Sequence, residues 1–349
     1  MVPADNNRGQ LESPSVAVVI LNWNGKSLLE RFLPSVLAST YKNLQVIVGD
    51  NASTDDSLAF VETHFPEVKL IRNAANYGFA EGYNQILSQV KTDYFILLNS
   101  DVEVPPYWIE PLIETMTSDV RIAVAQPKIK WQLQKGRFEY AGAAGGYIDK
   151  YGFPFCRGRI FDEIEDDHGQ YDNTEDIFWA SGAALFIKRE AWEIAGGFDA
   201  NLFAHMEEID LCWRLKNRGY RVICCAGAEV YHVGAATLAA NNPRKTYLNF
   251  RNNLIILYKN LPSNEVFKVL FIRFWLDLAA WIRFLIGGKF KHTIAISKAH
   301  FHFLTHLSKH RREQGKQALP FLRHQGVYNK SIVYQYFIRK ITLFSRLPR

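Results

Sequence analysis

The sequence has little cysteine, little methionine and no long apolar run free of charge. Four cysteines and three methionines occur in 349 residues. The cysteines stand at 156, 212, 224 and 225, and no two form a CxxC pair. That spacing excludes a zinc ribbon and a disulfide-stapled scaffold. It points to reduced, buried thiols in a cytosolic protein. The leading residues, MVPADNNRGQLESPS, lack the apolar segment of a secretory signal. No GxGxxG follows the first apolar run, which argues against a dinucleotide-binding dehydrogenase. Acid is scarce at one end. From Ala236 to Arg349, 20 Lys and Arg face three acids, Glu265, Asp277 and Glu313. Within a net charge of +6, that tail carries +17 and residues 1–235 carry −11.

What is present is a packed α/β pattern. Hydrophobic residues make up 48% and charged residues 22%, so a core is expected and disorder is not. Residues 16–23, VAVVILNW, form a continuous apolar run, as in a parallel strand covered on both faces. Helical spacing over 27–39, a strand at 44–50, a helix at 56–65, a strand at 68–73, a helix over 79–90 and the strand YFILLNS follow. Another strand covers 122–129, with loops and short strands from 136 to 160. A strand, a helix and a Gly-Gly turn occupy 178–203, and a helix and strand occupy 206–225. The alternation predicts a doubly wound α/β sheet, with ligands beyond the carboxyl ends of its strands.

Those ends carry the polar residues: NWNG at 22–25, GDNASTDD at 49–56, RNAANYGFAEGYN at 72–84 and NSDVE at 99–103. Turns use the same residues, but four such clusters on one edge suggest a shared pocket. Asp101 is the sharpest candidate. With Asn99 and Glu103 it offers oxygen donors suited to Mg2+ or Mn2+, ions that bind one or two carboxylates together with substrate phosphates. Asp50 is either a helix N-cap or an acceptor for a base imide or ribose hydroxyl. In MEEIDLCWR, Asp210 and Arg214 are four apart and can pair on a helix. Glu207 and Glu208 project differently, so one can serve as a general base. His232, at a strand end, is a packing residue, a metal ligand or a phosphate contact.

Together and in this order, VAVVILNWNG, VGDNASTDDS, NYGFAEGYN, LLNSDVEV, SGAALFIKREAWEIAGGFD, MEEIDLCWRL and VYHVGAAT resemble glycosyltransferase family 2, in its rhamnosyltransferase-like bacterial branch. The resemblance covers roughly residues 15 to 255. It implies a GT-A fold and a nucleoside-diphosphate sugar donor, UDP- or dTDP-linked. It also implies a divalent cation and inversion at the anomeric carbon. By position, Asp50 would contact the nucleotide, and Asn22, Asn76, Gly78, Gly82 and Asn99 would line the donor site. Asp101 would be the last acid of the metal motif, here reading Asn-Ser-Asp, and His232 a metal or diphosphate ligand. Glu208 stands where the family usually has the Asp of a Glu-Asp pair, which keeps Glu207 in play as the base. The acceptor implied is a glycan or lipid-linked glycan.

Residues 1–14 read as a leader, 15–240 as the catalytic domain and 241–349 as a helical, basic extension. A basic tail suits nucleic acid or anionic lipid; its aromatic content selects lipid. Residues 268–290 are too charged to span a bilayer. Arg273, Asp277 and Arg283 fall within about 120° of a helical wheel. The expectation is an amphipathic helix in the membrane interface, with Trp275 and Trp281 near the headgroups. Lys289, Lys291, Arg311 and Arg312 would meet anionic lipid. A helix packed on the catalytic domain, or a homodimer contact, is the alternative. The chain is thus expected to be peripheral on the inner face of the cytoplasmic membrane. Rival functions are a sugar nucleotidyltransferase, for which NWNGKS offers a thin phosphate loop, and a non-catalytic membrane-docked scaffold.

Overall fold

The computed structural model describes residues 13–234, 242–310, 312 and 319–348. In chain order the first half runs β1 (Val16–Asn22), α1 (Lys26–Leu37), β2 (Leu44–Asp50), α2 (Ser57–His64), β3 (Lys69–Arg72), α3 (Gly78–Leu87), β4 (Tyr94–Leu98), β5 (Val102–Glu103), α4 (Glu110–Ser118), β6 (Ile122–Trp131) and β7 (Gln134–Phe138). Five short strands follow: β8 (Gly146–Asp149), β9 (Pro154–Cys156), β10 (Arg159–Ile160), β11 (Glu163–Ile164) and β12 (Glu175–Asp176). Then come β13 (Ala184–Lys188), α5 (Arg189–Ala195), α6 (Glu207–Asn217) and β14 (Arg221–His232). The extension holds α7 (Pro243–Asn260), α8 (Ser263–Ile286), α9 (Phe290–Thr305) and β15 (Val327–Tyr328).

The main sheet has the order β12-β14-β6-β13-β4-β1-β2-β3, with β5 on β14 and β7 on β6. β1 lies parallel between β2 and β4, and β13 is antiparallel to β4 and β6, so the sheet is mixed. β1 is buried on both faces. Ala17 and Val19 enter one apolar cluster, and Val16, Val18 and Ile20 the other. This two-sided burial is why the strand reads as one apolar run rather than an alternation. A second sheet, β11-β10-β9-β8-β15, fills the region read as loops and short strands, and the tail returns to it through β15.

β14 runs beyond residue 225, where the expected strand ended. It is one strand from Arg221 to His232, bulged between Cys225 and Glu229. The bulge re-aims the strand, and its end pairs with β5 so that His232 faces Val102. The four cysteines are buried and unpaired.

The extension corrects one expectation. Its first helix, α7, enters the main core through Leu254, Ile255, Ile256 and Leu257. On α8, Arg273 and Asp277 point inward, 2% and 1% exposed, rather than toward headgroups. Arg273 pairs with Asp277 at 3.1 Å, donates to Asn253 Oδ1 and to the Tyr151 carbonyl, and stacks on Phe153. His300 closes the network on Asp277 at 3.0 Å. Ion and dipole partners offset the cost of burying the pair, and the opposite, apolar side of the helix is left outside. Arg312, expected to meet anionic lipid, is half-buried and donates to the Leu261 carbonyl at 2.6 Å. The expected boundary at 240/241, the leader up to residue 12, and Arg311 lie outside the described residues.

Candidate active site

The carboxyl ends of β1, β2 and β4 are adjacent in the sheet, and each delivers its polar residue to the same edge. Asn22 and Asp50 are register partners, both nearly inaccessible. Asn22 donates to Asp50 Oδ1 at 3.1 Å. Ser53 donates its backbone N–H to Asp50 Oδ2 at 2.9 Å and its hydroxyl to Oδ1. The Asp50 carboxylate is thus held rigid by its own loop. Asn22 Oδ1 is buried without a partner, an acceptor of the sort a donor-bearing ligand would satisfy.

Asn76, Gly78 and Gly82 are organised by a residue that the motif contained but sequence reasoning passed over, Asn51. Its side chain donates to Asn76 Oδ1 at 3.0 Å and to the Gly78 carbonyl at 2.9 Å. It accepts from Asn73 and from the Tyr77 backbone. Gly78 starts α3 at φ +78°, and a Cβ there would lie 2.6 Å from the Phe203 ring; only glycine takes both constraints without strain. Gly82 packs against Leu21 and Asn51, where a Cβ would come within 3.0 Å of the leucine. Both glycines therefore shape the loop through backbone packing.

Asp101 and His232 meet directly, Oδ1 to Nε2 at 3.0 Å, both buried. Asn99 Nδ2 lies 3.4 Å from the same ring nitrogen. Sequence reasoning missed the group on the far side. Glu139 Oε2 stands 3.3 Å from His232 Nδ1, itself anchored by the Ala141 backbone N–H. Burial disfavours a charged ring, but Asp101 and Glu139 outweigh it and push the His232 pKa up to about 10. Glu103 turns away: Lys135 takes one oxygen at 2.6 Å and Gln132 the other at 3.1 Å.

The Asp101–His232 spacing tests the metal expectation. Two donors bound about 2.1 Å from one ion at right angles stand about 3.0 Å apart. The observed 3.0 Å separation is that of a direct hydrogen bond, and the two side chains would be close enough together to hold one ion. Glu139 lies 3.3 Å from Nδ1, and an ion at Nε2 would require that nitrogen to give up its proton, leaving the neutral ring common to metal-bound histidines. Among the described residues no cluster of three or more His, Cys, Asp or Glu could hold an ion. An ion held by Asp101 and His232 would draw its remaining ligands from substrate phosphates and water, the usual habit of Mg2+.

Glu207 and Glu208 open α6, and the loop before them is strained. Phe203, His205 and Met206 have φ of 63°, 69° and 74°, a conformation that costs energy outside glycine. Two α7 residues hold it there. Asn252 Nδ2 donates to the carbonyls of Leu202, Ala204 and His205 at 2.9, 2.9 and 2.7 Å, and Arg251 donates to those of Asn201 and Leu202. On its other side, the Phe203 carbonyl accepts from Phe79 and Ala80 of α3. The loop thus ties the glutamates to the Gly78 loop.

Glu207 is 4% exposed, whereas Glu208 is only partly covered. Each has an Oε2 without a hydrogen-bond partner. Burial raises the pKa of both, with Glu208 adding to the effect on Glu207. Glu208 is pushed up to about 7. Burial raises the Cys156 thiol too. His205 is pushed down to about 4 by burial and by the charge on Lys245.

Residues 17–171 match the sequence model of Glycosyl transferase family 2. The chain is 26% identical over 229 residues to an N-acetylglucosaminyl-diphospho-decaprenol L-rhamnosyltransferase of Mycobacterium tuberculosis, covering 62% of this chain and 75% of that protein. Among solved structures it is similar to GalNAc-T7 with UDP, GalNAc and Mn2+, at TM-score 0.56 and 17% identity. That match covers 71% of this chain and 48% of the other, so this chain spans about half of that protein. It is also similar to the mannosyltransferase PcManGT of Pyrobaculum calidifontis with GDP-Man and Mn2+, at TM-score 0.51 and 16% identity, over 85% of this chain and 76% of that one. Residues 17–171 thus carry a domain that matches Glycosyl transferase family 2, on a GT-A fold.

Proposed function

We propose that the protein transfers a sugar, of rhamnosyl or hexosyl type, from a nucleoside-diphosphate donor to a hydroxyl of a glycan or lipid-linked glycan. It would act by metal-assisted single displacement in cell-envelope polysaccharide synthesis, as a peripheral protein on the inner face of the cytoplasmic membrane. The observation that carries this reading is the buried Asp101–His232 pair at 3.0 Å, just beyond the carboxyl end of β4. The M. tuberculosis relative, by name, acts on a diphospho-linked lipid with L-rhamnose, and GalNAc-T7 and PcManGT carry Mn2+ with UDP or GDP-mannose.

Asp101 and His232 would hold the divalent cation, with Asn99 beside them. The cation would neutralise charge on the leaving diphosphate. Asp50 and Asn22 would receive the nucleoside, and the Asn76–Gly78–Gly82 loop would close around it. Glu208 would take the proton from the acceptor hydroxyl as that oxygen attacks the anomeric carbon. Its partial exposure favours it over the closed-off Glu207, and its raised pKa suits a base working near neutrality. One base and one leaving group suffice, so no covalent nucleophile is required.

Calorimetric titration with UDP and dTDP, with and without Mn2+, tests the reading. Metal-dependent binding lost in Asp101→Ala is expected, and the preferred base names the donor. Well-folded protein that binds neither nucleotide would overturn it in favour of a non-catalytic scaffold. Release of pyrophosphate from a nucleoside triphosphate and a sugar phosphate would favour a nucleotidyltransferase.

A further inference from the structure

The α8–α9 hairpin presents its two faces in the reverse of the usual order. Val266, Val269, Arg273 and Asp277 form the buried stripe of α8. On the other side, Phe267, Phe271, Trp275 and Ile286 are 55–82% exposed. At 100° per residue these four occupy an arc of about 100°, opposite the buried stripe. α9 runs back antiparallel, joined through the Trp281–Ser297 hydrogen bond at 3.0 Å and the Phe284–His292 stack. It adds Ile294 and Phe301, 54% and 70% exposed. Contiguous apolar surface of this kind marks an interaction site.

Charge identifies the occupant. The charged residues exposed along residues 266–305 are Lys268, Arg283, Lys289, Lys291 and Lys298, all cations. Asp277, the one acid in that span, is buried under Arg273 and His300. A second copy docked on this face would bring five cations against five like charges, at a cost. An anionic bilayer meets both requirements. Aromatic and aliphatic side chains enter the acyl boundary, and lysines reach phosphate headgroups. No helix among the described residues is long and apolar enough to cross a membrane, so the hairpin can only lie flat.

We propose that the exposed face of the α8–α9 hairpin is the membrane-docking surface, and that it binds an anionic bilayer by shallow insertion of Phe267, Phe271, Trp275 and Ile286. The Arg273–Asp277–His300 network then serves to fix the apolar face outward. The hairpin lies one helix from the active site. α9 bonds to α7 through Thr246–His292 and Tyr247–His302, and α7 carries the Arg251–Asn252 clamp on the loop before Glu207. The proposal rests on the peripheral-membrane part of the function above and is independent of the donor site.

Co-sedimentation of the full chain with vesicles tests it, using phosphatidylcholine alone and phosphatidylcholine mixed with phosphatidylglycerol. Binding is expected to the anionic vesicles and to fall with added salt. Phe271→Ser with Trp275→Ser should weaken it at least tenfold, and Lys289→Glu with Lys291→Glu about fivefold per lysine. All four positions are exposed, so UDP binding and thermal unfolding of the variants should match the parent. Absence of binding to either vesicle would overturn the proposal, as would binding that the substitutions leave unchanged. Concentration-dependent self-association abolished by the Phe271/Trp275 pair would overturn it in favour of a second copy. Failure of the sugar-transfer reading appears separately, as absent UDP binding in protein that still binds vesicles.

Discussion

One turn of α6 separates two kinds of buried carboxylate. Asp210 accepts from Arg214 Nε at 2.8 Å, Lys259 Nζ at 3.2 Å and Asn260 Nδ2 at 2.8 Å. Burial alone would raise its pKa, but Arg214, Lys259 and Asn260 outweigh it and hold the group below its ordinary value. Glu207 and Glu208, at the start of the same helix, have no such partners, and burial drives both upward. The extension repeats the first pattern in Asp277, enclosed by Arg273 and His300. Burial is therefore not the mark of function in this protein. A buried acid with its partners in place fastens the fold, and one left without them is reserved for a ligand or a proton.

Removing each kind of acid should break the comparison in different observables. Glu208→Gln should lower kcat by about 10²–10⁴-fold, the usual worth of a general base. UDP–Mn2+ affinity should stay within about twofold by calorimetry, because the proposed base would act on the acceptor and not on the donor. Asp210→Ala should do the reverse. It strands Arg214 and part of the Lys259 interaction in the core, at a cost of about 3 kcal/mol, read as a lower urea midpoint. A Glu208→Gln variant as inactive as predicted but equally destabilised would show that both acids belong to one structural network.

Glu139→Gln should produce a smaller effect on a third observable. An amide still fills the space beside His232 Nδ1 but no longer fixes the ring as a carboxylate does. Loss of such a partner typically weakens metal binding by about 10–100-fold. Mn2+ titration in the presence of UDP, followed by electron paramagnetic resonance, checks it. Unchanged Mn2+ affinity would reduce Glu139 to a packing residue.

The strand ends were legible because β1, the buried part of β2 and β4 are apolar runs that stop abruptly at Asn22, Asp50 and Asn99. Asp101 was singled out from the last of those stops, whereas His232 and the Glu207–Glu208 pair were read from the later segments EVYHVG and MEEIDLCWR. Glu139 was not legible. It lies just past β7 in RFEYAG, which has no period, and only the β6–β7 hairpin brings it back against β14. Asn51 was in view within DNAS, but its partners Asn73 and Asn76 lie 22 and 25 residues away. Arg251 and Asn252 were read as part of a basic tail, although a polar triplet, RNN, inside the apolar α7 was the available signal. The orientation of α8 was misjudged for a general reason. A helical wheel separates two faces but does not say which is inside, and the partners that draw Arg273 inward include the Tyr151 carbonyl, 122 residues distant.

The smallest predicted effect sharpens the comparison on α6 most directly. Burial lifts the Glu208 carboxyl from an ordinary 4.5 to about 7. Between those values the folded chain keeps a proton that the unfolded chain has released, so this group's contribution to stability falls as pH rises through that window. Over the same window the base becomes competent. The rate constant kcat/KM should therefore climb with pH and level off above about 7, as stability declines. Glu208→Gln removes the titration, so its Tm should gain on the parent's between about pH 5 and pH 8. Asp210 has the opposite sign. Its lowered pKa supplies stability that is lost only as pH falls toward acid, below the window in which Glu208 titrates. Parallel Tm–pH curves for parent and Glu208→Gln would mean that Glu208 has a partner in solution, and would remove the ground for separating the two acids.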